Sequence, residues 1–227
     1  FMISGLTILF GFPAPIILAL MINEVKNSAF KRTVQTITYM PYFISMVVMC
    51  GLLKTFCMQD GLFSQIAMAF GGSGQNFLAN PDYFRTIYVL SDIWSGIGWN
   101  SIIYLAALSS IDQEQYEAAR VDGANRFKQM IHITLPGLVP TIMVLFILRM
   151  GNILNVGYEK ILLLYNSATY ITADVISTYT YRLSFGGSGN PMYSKSTAIG
   201  LFNTIINVFF LMLTNMISKK ATDAGLF

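Results

Sequence analysis

The chain has 227 residues, 54% of them hydrophobic and only 11% charged, where a soluble domain carries roughly 25% charged residues. Its net charge of +3 is spread without a run of Lys or Arg, which argues against a nucleic-acid partner. Such a composition describes an integral membrane protein whose many Phe, Tyr and Met suit lipid, interfacial or carbohydrate contacts alike.

A membrane-crossing helix needs about 20 mostly apolar residues. The first candidate, Phe1 to Asn23, starts at once, with neither a charged leader nor a cleavage site, so the true amino terminus is expected to lie before Phe1. Pro13 and Pro15 predict a kink in it, with the freed carbonyls satisfied by neighbouring helices. A second span is expected over Thr33 to Leu53. Cys50 and Cys57 would stand about 10 Å apart on a helix, beyond disulfide reach, and are expected to be packing residues. Leu62 to Phe70 is short, apolar and interrupted by Ser64 and Gln65, as in a helix lying on the surface.

The third span runs from Ile93 to Ile111 with a start near Thr86, and places Asp92, Ser95, Gly96 and Trp99 on one face. The fourth, Pro136 to about Tyr158, is broken by Arg149. Tyr170 to Arg182 alternates polar and aromatic residues and predicts an outer helix. The last span is Ser196 to Ser218, where Thr197, Gly200, Asn203 or Thr204, Asn207 and Thr214 recur at helical spacing, as glue between membrane helices or as substrate contacts.

Five spans leave eight Lys and Arg residues on one side, including Lys26, Arg120 and Lys219, and five on the other; the richer side is assigned to the cytoplasm. Two outer connections each carry Gly-Gly-Ser-Gly, at Gly71 to Gly74 and Gly186 to Gly189, expected to be hinges. No Lys follows either, so neither matches a nucleotide-binding loop and the chain is not expected to hydrolyse ATP. His132, the single histidine, has no nucleophile or ligand cluster beside it, so neither a catalytic residue nor a metal site is expected.

The segment between spans three and four is polar and mixed in charge. Asp112 is placed to cap a helix, with Gln115 three residues on to answer it, and that helix should end near Gly123. Glu114, Glu117 and Val121 would share one face, and Tyr116, Ala119 and Arg120 another. Gly123 suits a sharp turn through positive φ. A second helix through Phe127 would follow, Leu135-Pro136 would close the loop, and Pro140 would sit in the first turn of span four. From its residues alone this is either a polar connection or a handle for a soluble partner.

Its order, Glu117-Ala-Ala-Arg-Val-Asp-Gly123 and, nine residues later, Ile133-Thr-Leu-Pro136, resembles the signature loop of ATP-binding-cassette importer permeases. The resemblance, to the carbohydrate permeases of lipoprotein or alginate type, extends through Phe10 to Pro15, Tyr39 to Ile44, Asp92 to Trp94, Gly98-Trp99, Ala106 to Leu108, Tyr165-Asn166 and Ala198 to Phe202. It implies an all-α, polytopic type I importer permease fold, a single permease domain over residues 1–227 and a cytoplasmic coupling loop over 112–136. It also implies that Glu117, Ala118, Ala119, Asp122, Gly123, Ile133, Leu135 and Pro136 meet an ATPase subunit. Implied partners are a second permease, different from this chain, two cytoplasmic ATPases that bind ATP and Mg, an external sugar-binding protein and an oligosaccharide or polysaccharide fragment. The location implied is the bacterial cytoplasmic membrane. Such permeases usually carry six spans, and a helix before Phe1 would complete the set.

A charge inside hydrocarbon costs at least about 2.5 kcal/mol, so Arg149 is expected to face protein or water. On a continuous helix Arg149, Asn152, Asn155 and Glu159 fall within an arc of about 120° and would line a path. Asp92 lies about 30 Å from Asp112, and Arg149 about 20 Å beyond Pro136, so a direct pair between them is not expected. Trp94, Trp99, Tyr104 and Tyr158 would stack on sugar rings or anchor at the membrane interface. The competing function is an ion-gradient-driven transporter or channel using Asp92 and Arg149 as relay or gating groups.

Overall fold

The computed structural model describes residues 1–186, 190–222 and 225–226, which form helices and connecting turns. The stretch Gly187 to Gly189 of the second Gly-Gly-Ser-Gly lies outside the described residues. Helix α1 (Met2–Leu6) passes through a wide turn, Thr7–Gly11, into α2 (Pro13–Glu24). Pro13 and Pro15 have no N–H to donate, and just ahead of them the bonding slips to five residues, the Phe12 N–H reaching the Thr7 carbonyl at 3.2 Å.

The expected second span is not one helix. Helix α3 (Ser28–Tyr39) starts at Asn27, whose side chain accepts from the Ala29 and Phe30 N–H groups. A tight turn, Met40–Phe43, separates it from α4 (Met46–Cys57), which is capped by Ser45. Pro41 cannot donate to the ladder; Met40 before it stays helical, and the chain runs extended at Ile44 and Ser45 before α4 starts. Mean apolarity across Thr33 to Leu53 is blind to that break. Cys50 and Cys57 are buried and free, packed with Phe84 and Ile161.

After α5 (Leu62–Ala69), α6 (Pro81–Ser109) runs for 29 residues from its cap at Asn80, starting earlier than Thr86 because Asn80-Pro81 supplies the cap and first-turn proline. It is the axis of the fold, with α2, α3, α9 and α11 around it. Next come α7 (Gln113–Val121), α8 (Arg126–Gln129), a wide turn Met130–Thr134 and α9 (Leu135–Met150). The loop therefore does not close at Leu135-Pro136. The backbone is helical from Arg126 onward, with Pro136 in the first turn of α9 and Pro140 inside it. The Leu135 N–H bonds the Met130 carbonyl, the same slip that precedes Pro13.

Span four also ends early, at Met150, where Gly151 begins a turn and the Asn152 side chain donates to the Leu148 carbonyl at 3.1 Å. Among the described residues four stretches are long and apolar enough to cross a membrane, Met2–Glu24, Met46–Ala69, Arg126–Met150 and Tyr193–Lys220. The expected third span is the central α6, whose first half carries Asp82, Arg85 and Asp92. Two apolar clusters hold the bundle: Met49, Cys57, Phe84 and Leu164 at one end, and Ala19, Tyr104, Leu108 and Leu138 at the other.

Beyond α9 lie α10 (Tyr158–Leu164), α11 (Tyr170–Ala173), α12 (Ile176–Phe185) and α13 (Tyr193–Thr222). The outer helix expected over Tyr170 to Arg182 is two, broken at Asp174, because Thr178 takes the Val175 N–H and donates to Asp174. Arg182 clasps the break with two 2.8 Å bonds to the Asp174 carboxylate and lies 4.8 Å above the Tyr170 ring. On α13, Asn207 and Thr214 are buried while Phe202, Phe209, Met212 and Met216 face outward. The Asn207 side chain accepts from the Leu154 N–H at 3.2 Å, so this part of the polar stripe packs the turn after α9.

The hydrogen bond from Arg182 holds the Asp174 carboxyl below its ordinary value. A carboxylate whose pKa falls on folding contributes stability above its unfolded value, about 3.9, and loses it as the pH falls through the folded one. Thermal melts should therefore be flat near neutrality and drop below about pH 4. Asp174→Asn should lower the neutral melting temperature and flatten that acid limb; an unchanged limb would rule the clasp out as its source.

Candidate functional site

At one end of the bundle α7 stands clear of the other helices. The Asp112 carboxylate accepts from the Glu114 N–H at 3.0 Å, so Asp112 caps as expected, but among the described residues no bond from the Gln115 side chain answers it. The far end is closed by a Schellman motif, with Ala124 N–H bonded to the Ala119 carbonyl at 2.8 Å and Gly123 N–H to the Arg120 carbonyl at 3.1 Å. Gly123 has φ +76, as its turn requires.

The two faces divide as the helical spacing predicts except at Arg120, which is exposed although it was expected beside Tyr116 and Ala119. Tyr116 and Ala119 are half-buried, and the Tyr116 hydroxyl lies 3.0 Å from the Thr134 hydroxyl at the foot of α9. Glu114, Glu117, Ala118, Val121 and Asp122 are exposed. Among the described residues the Glu117 carboxylate has no hydrogen bond or ion pair. Arg126 pairs with Glu24 at 3.4 Å, a contact between exposed side chains that ties α8 to the end of α2 with little energy. Ile133 and Leu135 are half-buried and Pro136 exposed on the continuous helix, so they stand along the α9 stem, apart from the α7 face.

Inside the bundle two adjoining cavities, of about 460 and 240 Å³, share Thr7, Asp92, Arg149, Asn152 and Asn155 as wall. Four of the eight expected path residues thus meet, although the helix expected to align three of them stops at Met150. The turn after Met150 aligns them instead, since Asn155 donates to the Asn152 side-chain oxygen at 3.2 Å and accepts from Asn203 of α13 at 3.0 Å. Glu159 is exposed on α10 and absent from the cavity wall.

The aromatic candidates lie elsewhere. Trp94 stands about 200° around α6 from Asp92, on an apolar groove with Leu53, Phe56 and Phe63. Trp99 is stacked on Tyr42 at 4.6 Å, nearly parallel, and Tyr158 faces Tyr181 at 6.0 Å. Tyr104 is the one aromatic of that set on the cavity wall, and it is buried.

Lys160 was not among the residues expected here. Its ammonium is 1% exposed, donates to the Tyr88 carbonyl at 3.0 Å and to Asp92 at 3.4 Å, and lies 4.4 Å from the Tyr88 ring centroid. Asp92 and Arg149 share a cavity without pairing, as expected, and Lys160 is the partner of Asp92. The missing signal is a contact between residues 68 positions apart; Lys160 reads in sequence as an outer-loop charge. Asn100, two helical turns beyond Asp92 on the same face of α6, was findable by spacing alone.

Asp92→Asn would leave the Lys160 charge buried without a counter-charge. Removing one partner of a fully buried pair costs roughly 3–5 kcal/mol. Asp92 is 39% exposed, so the expected cost is nearer about 2–3 kcal/mol. It should appear as a lower melting temperature of the purified protein, and Lys160→Met in the same background should restore part of it. No restoration would mean that Lys160 is carried by its Tyr88 contacts alone.

Known proteins resemble this chain over most of its length. The family model described as binding-protein-dependent transport system inner membrane component matches residues 11–223. Protein LplB of Bacillus subtilis (strain 168) is 43% identical over 227 residues, all of this chain and 70% of that protein. The crystal structure of a bacterial ABC transporter involved in the import of the acidic polysaccharide alginate contains a chain 47% identical, superposing with a TM-score of 0.92 over 97% of this chain and 77% of that one. A second structure, of a bacterial alginate ABC transporter with an alginate pentasaccharide-bound periplasmic protein, gives a TM-score of 0.94 at 47% identity, over 99% of this chain and 77% of that one.

Proposed function

The chain belongs to the binding-protein-dependent transport system inner membrane components, and on that premise we infer that it is a permease subunit of an ATP-driven importer of oligosaccharides or polysaccharide fragments. It supplies part of the path and the mechanical link to the ATPase; it is a conduit and lever, with ATP and Mg held by partner subunits. The assembly contains a second permease, two ATPases and an external sugar-binding protein, in the bacterial cytoplasmic membrane.

The observation that carries the reading is the free face of α7. A helix capped at both ends, braced to α9 through Tyr116 and Thr134, and showing Glu117 and Val121 to solvent is built to be gripped and pushed. A partner that holds this face differently in its ATP-bound and ATP-free states supplies the differential contact needed to drive the bundle between two arrangements. Glu117, Ala118 and Asp122 on the free face are the grip, with half-buried Ala119 behind them and Gly123 at the turn, and Ile133, Leu135 and Pro136 are the stem. At the other end of the lever, Asn152 and Asn155 line the cavity, which this reading assigns to the sugar.

A gradient-driven transporter leaves that face without a role. Uptake of labelled oligosaccharide into proteoliposomes holding the complete assembly separates the two. It should require enclosed ATP and external binding protein; uptake that persists without ATP and follows a proton or sodium gradient would overturn the importer reading.

A further inference from the structure

We propose that Lys160 is a positioning residue for the path: through Asp92 and Tyr88 it ties the non-helical segment 151–157 to α6, and so sets where Asn152 and Asn155 stand in the cavity wall. This rests on the permease reading above and deepens it.

Between α9 and α10 residues 151–157 form turns and extended backbone. Without a helical ladder such a segment keeps its shape through the groups around it. On the α13 side its ties are the Leu154 N–H on the buried Asn207 side chain and the Asn155 amide on Asn203. Asn155 is exposed, so the second bond competes with water and adds little by itself. The α6 side is held at the far end of the segment. Lys160, in the first turn of α10, donates to the Tyr88 carbonyl at 3.0 Å and to Asp92 at 3.4 Å. Gly157, the last residue before α10, lies so close to the same tyrosine that an added Cβ would stand 3.3 Å from its hydroxyl. The remainder of α10 packs on α4 and α12, so Lys160 is the polar link from this segment to the central helix.

A buried ion pair is a poor way to gain stability, since apolar residues of similar volume commonly serve as well. It is a better way to fix one arrangement. An apolar side chain could slide along α6, whereas an ammonium needs acceptors at set places. Groups that contact a ligand must be held to within about 0.5 Å by neighbours that are themselves locked. Lys160 is locked, being 1% exposed with both acceptors on one helix. At that depth it acts on a sugar only through the asparagines that it places.

The test uses the complete assembly in proteoliposomes, with the labelled oligosaccharide delivered by the external binding protein. In the double variant Asp92→Asn with Lys160→Met no charge is left unpaired, so its melting temperature should stand above that of Asp92→Asn alone. Its ATP hydrolysis should still answer to the binding protein, because the α7 face is untouched. Uptake per folded assembly should nevertheless fall by about fivefold to tenfold, the range of one lost hydrogen bond. Adding Asn155→Ala should lower it no further, since residues acting through one contact are not additive. Gly157→Ala keeps both charges and wedges the segment off Tyr88; it should reproduce the loss, and Tyr88→Phe in that background should relieve it. Uptake that recovers together with the melting temperature, or losses that multiply when Asn155→Ala is added, would overturn the assignment. If the double variant does not assemble, Gly157→Ala decides, and full uptake by it has the same force. Each of these outcomes leaves the permease reading standing, which fails only if uptake of the unsubstituted assembly does not need ATP.

Discussion

Reversing the charge at Glu117, as Glu117→Arg, is expected to cut ATP-driven uptake by at least about tenfold, as loss of a central interface contact does, without changing the amount of folded chain in the membrane. Folding should be indifferent because the side chain is exposed on α7 and bonds nothing among the described residues, and such surface changes stay within about 0.5 kcal/mol. Docking should not be indifferent, since a like charge set against a complementary surface costs several kcal/mol. The readouts are uptake, ATP hydrolysis with and without binding protein, and the melting temperature of the purified assembly. Lost uptake with hydrolysis no longer answering to the binding protein is the expected pattern. Normal uptake would remove Glu117 from the interface.

Gly123 offers a graded companion to that result. A Cβ added there meets nothing within 4 Å, so any cost comes from φ +76 alone. That is about 1–2 kcal/mol for Ala and more for a β-branched residue. Gly123→Ala should weaken coupling in part and Gly123→Val strongly, in that order, with the rest of the bundle unaffected.

Gly98→Val is expected to have the largest effect on stability. A Cβ at Gly98 would fall on the Thr38 carbonyl oxygen of α3, with the Tyr39 ring 2.9 Å away. Where the obstacle is a flexible side chain, overpacking typically costs about 1–3 kcal/mol. Here it is backbone, just before the Pro41 turn, so the cost should exceed about 3 kcal/mol. Little folded protein should be recovered from membranes, and Gly98→Ala should already lower the melting temperature. Gly5 and Gly51, where an added Cβ meets nothing within 4 Å, serve as controls. A Gly98 variant as stable as Gly51→Ala would mean that α3 can swing away from α6.

This contrast marks what could be read from the chain alone. The α7 handle was legible to within two residues because its determinants are local: Asp112 bonds an N–H two residues on, Gly123 closes a turn over five residues, and the two faces follow from helical spacing. The apolar stretches were legible for the same reason, since burial in lipid acts on composition over a window. Their continuity was not. The extended pair Ile44-Ser45 broke one expected helix, Gly151 ended another, and Pro136 was absorbed into a helix that slipped its bonding instead of stopping.

The sequence by itself determined that this is a bundle of membrane helices with a polar elbow at one end, because periodicity, capping and hydropathy are properties of neighbours along the chain. Only the tertiary structure decided which polar groups share the interior. Lys160 finds Asp92 across 68 residues, Asn155 finds Asn203 across 48, and Arg149 lines the cavity with no ion pair among the described residues. Which charges neutralise each other depends on distances through space, and those are fixed by how helices pack.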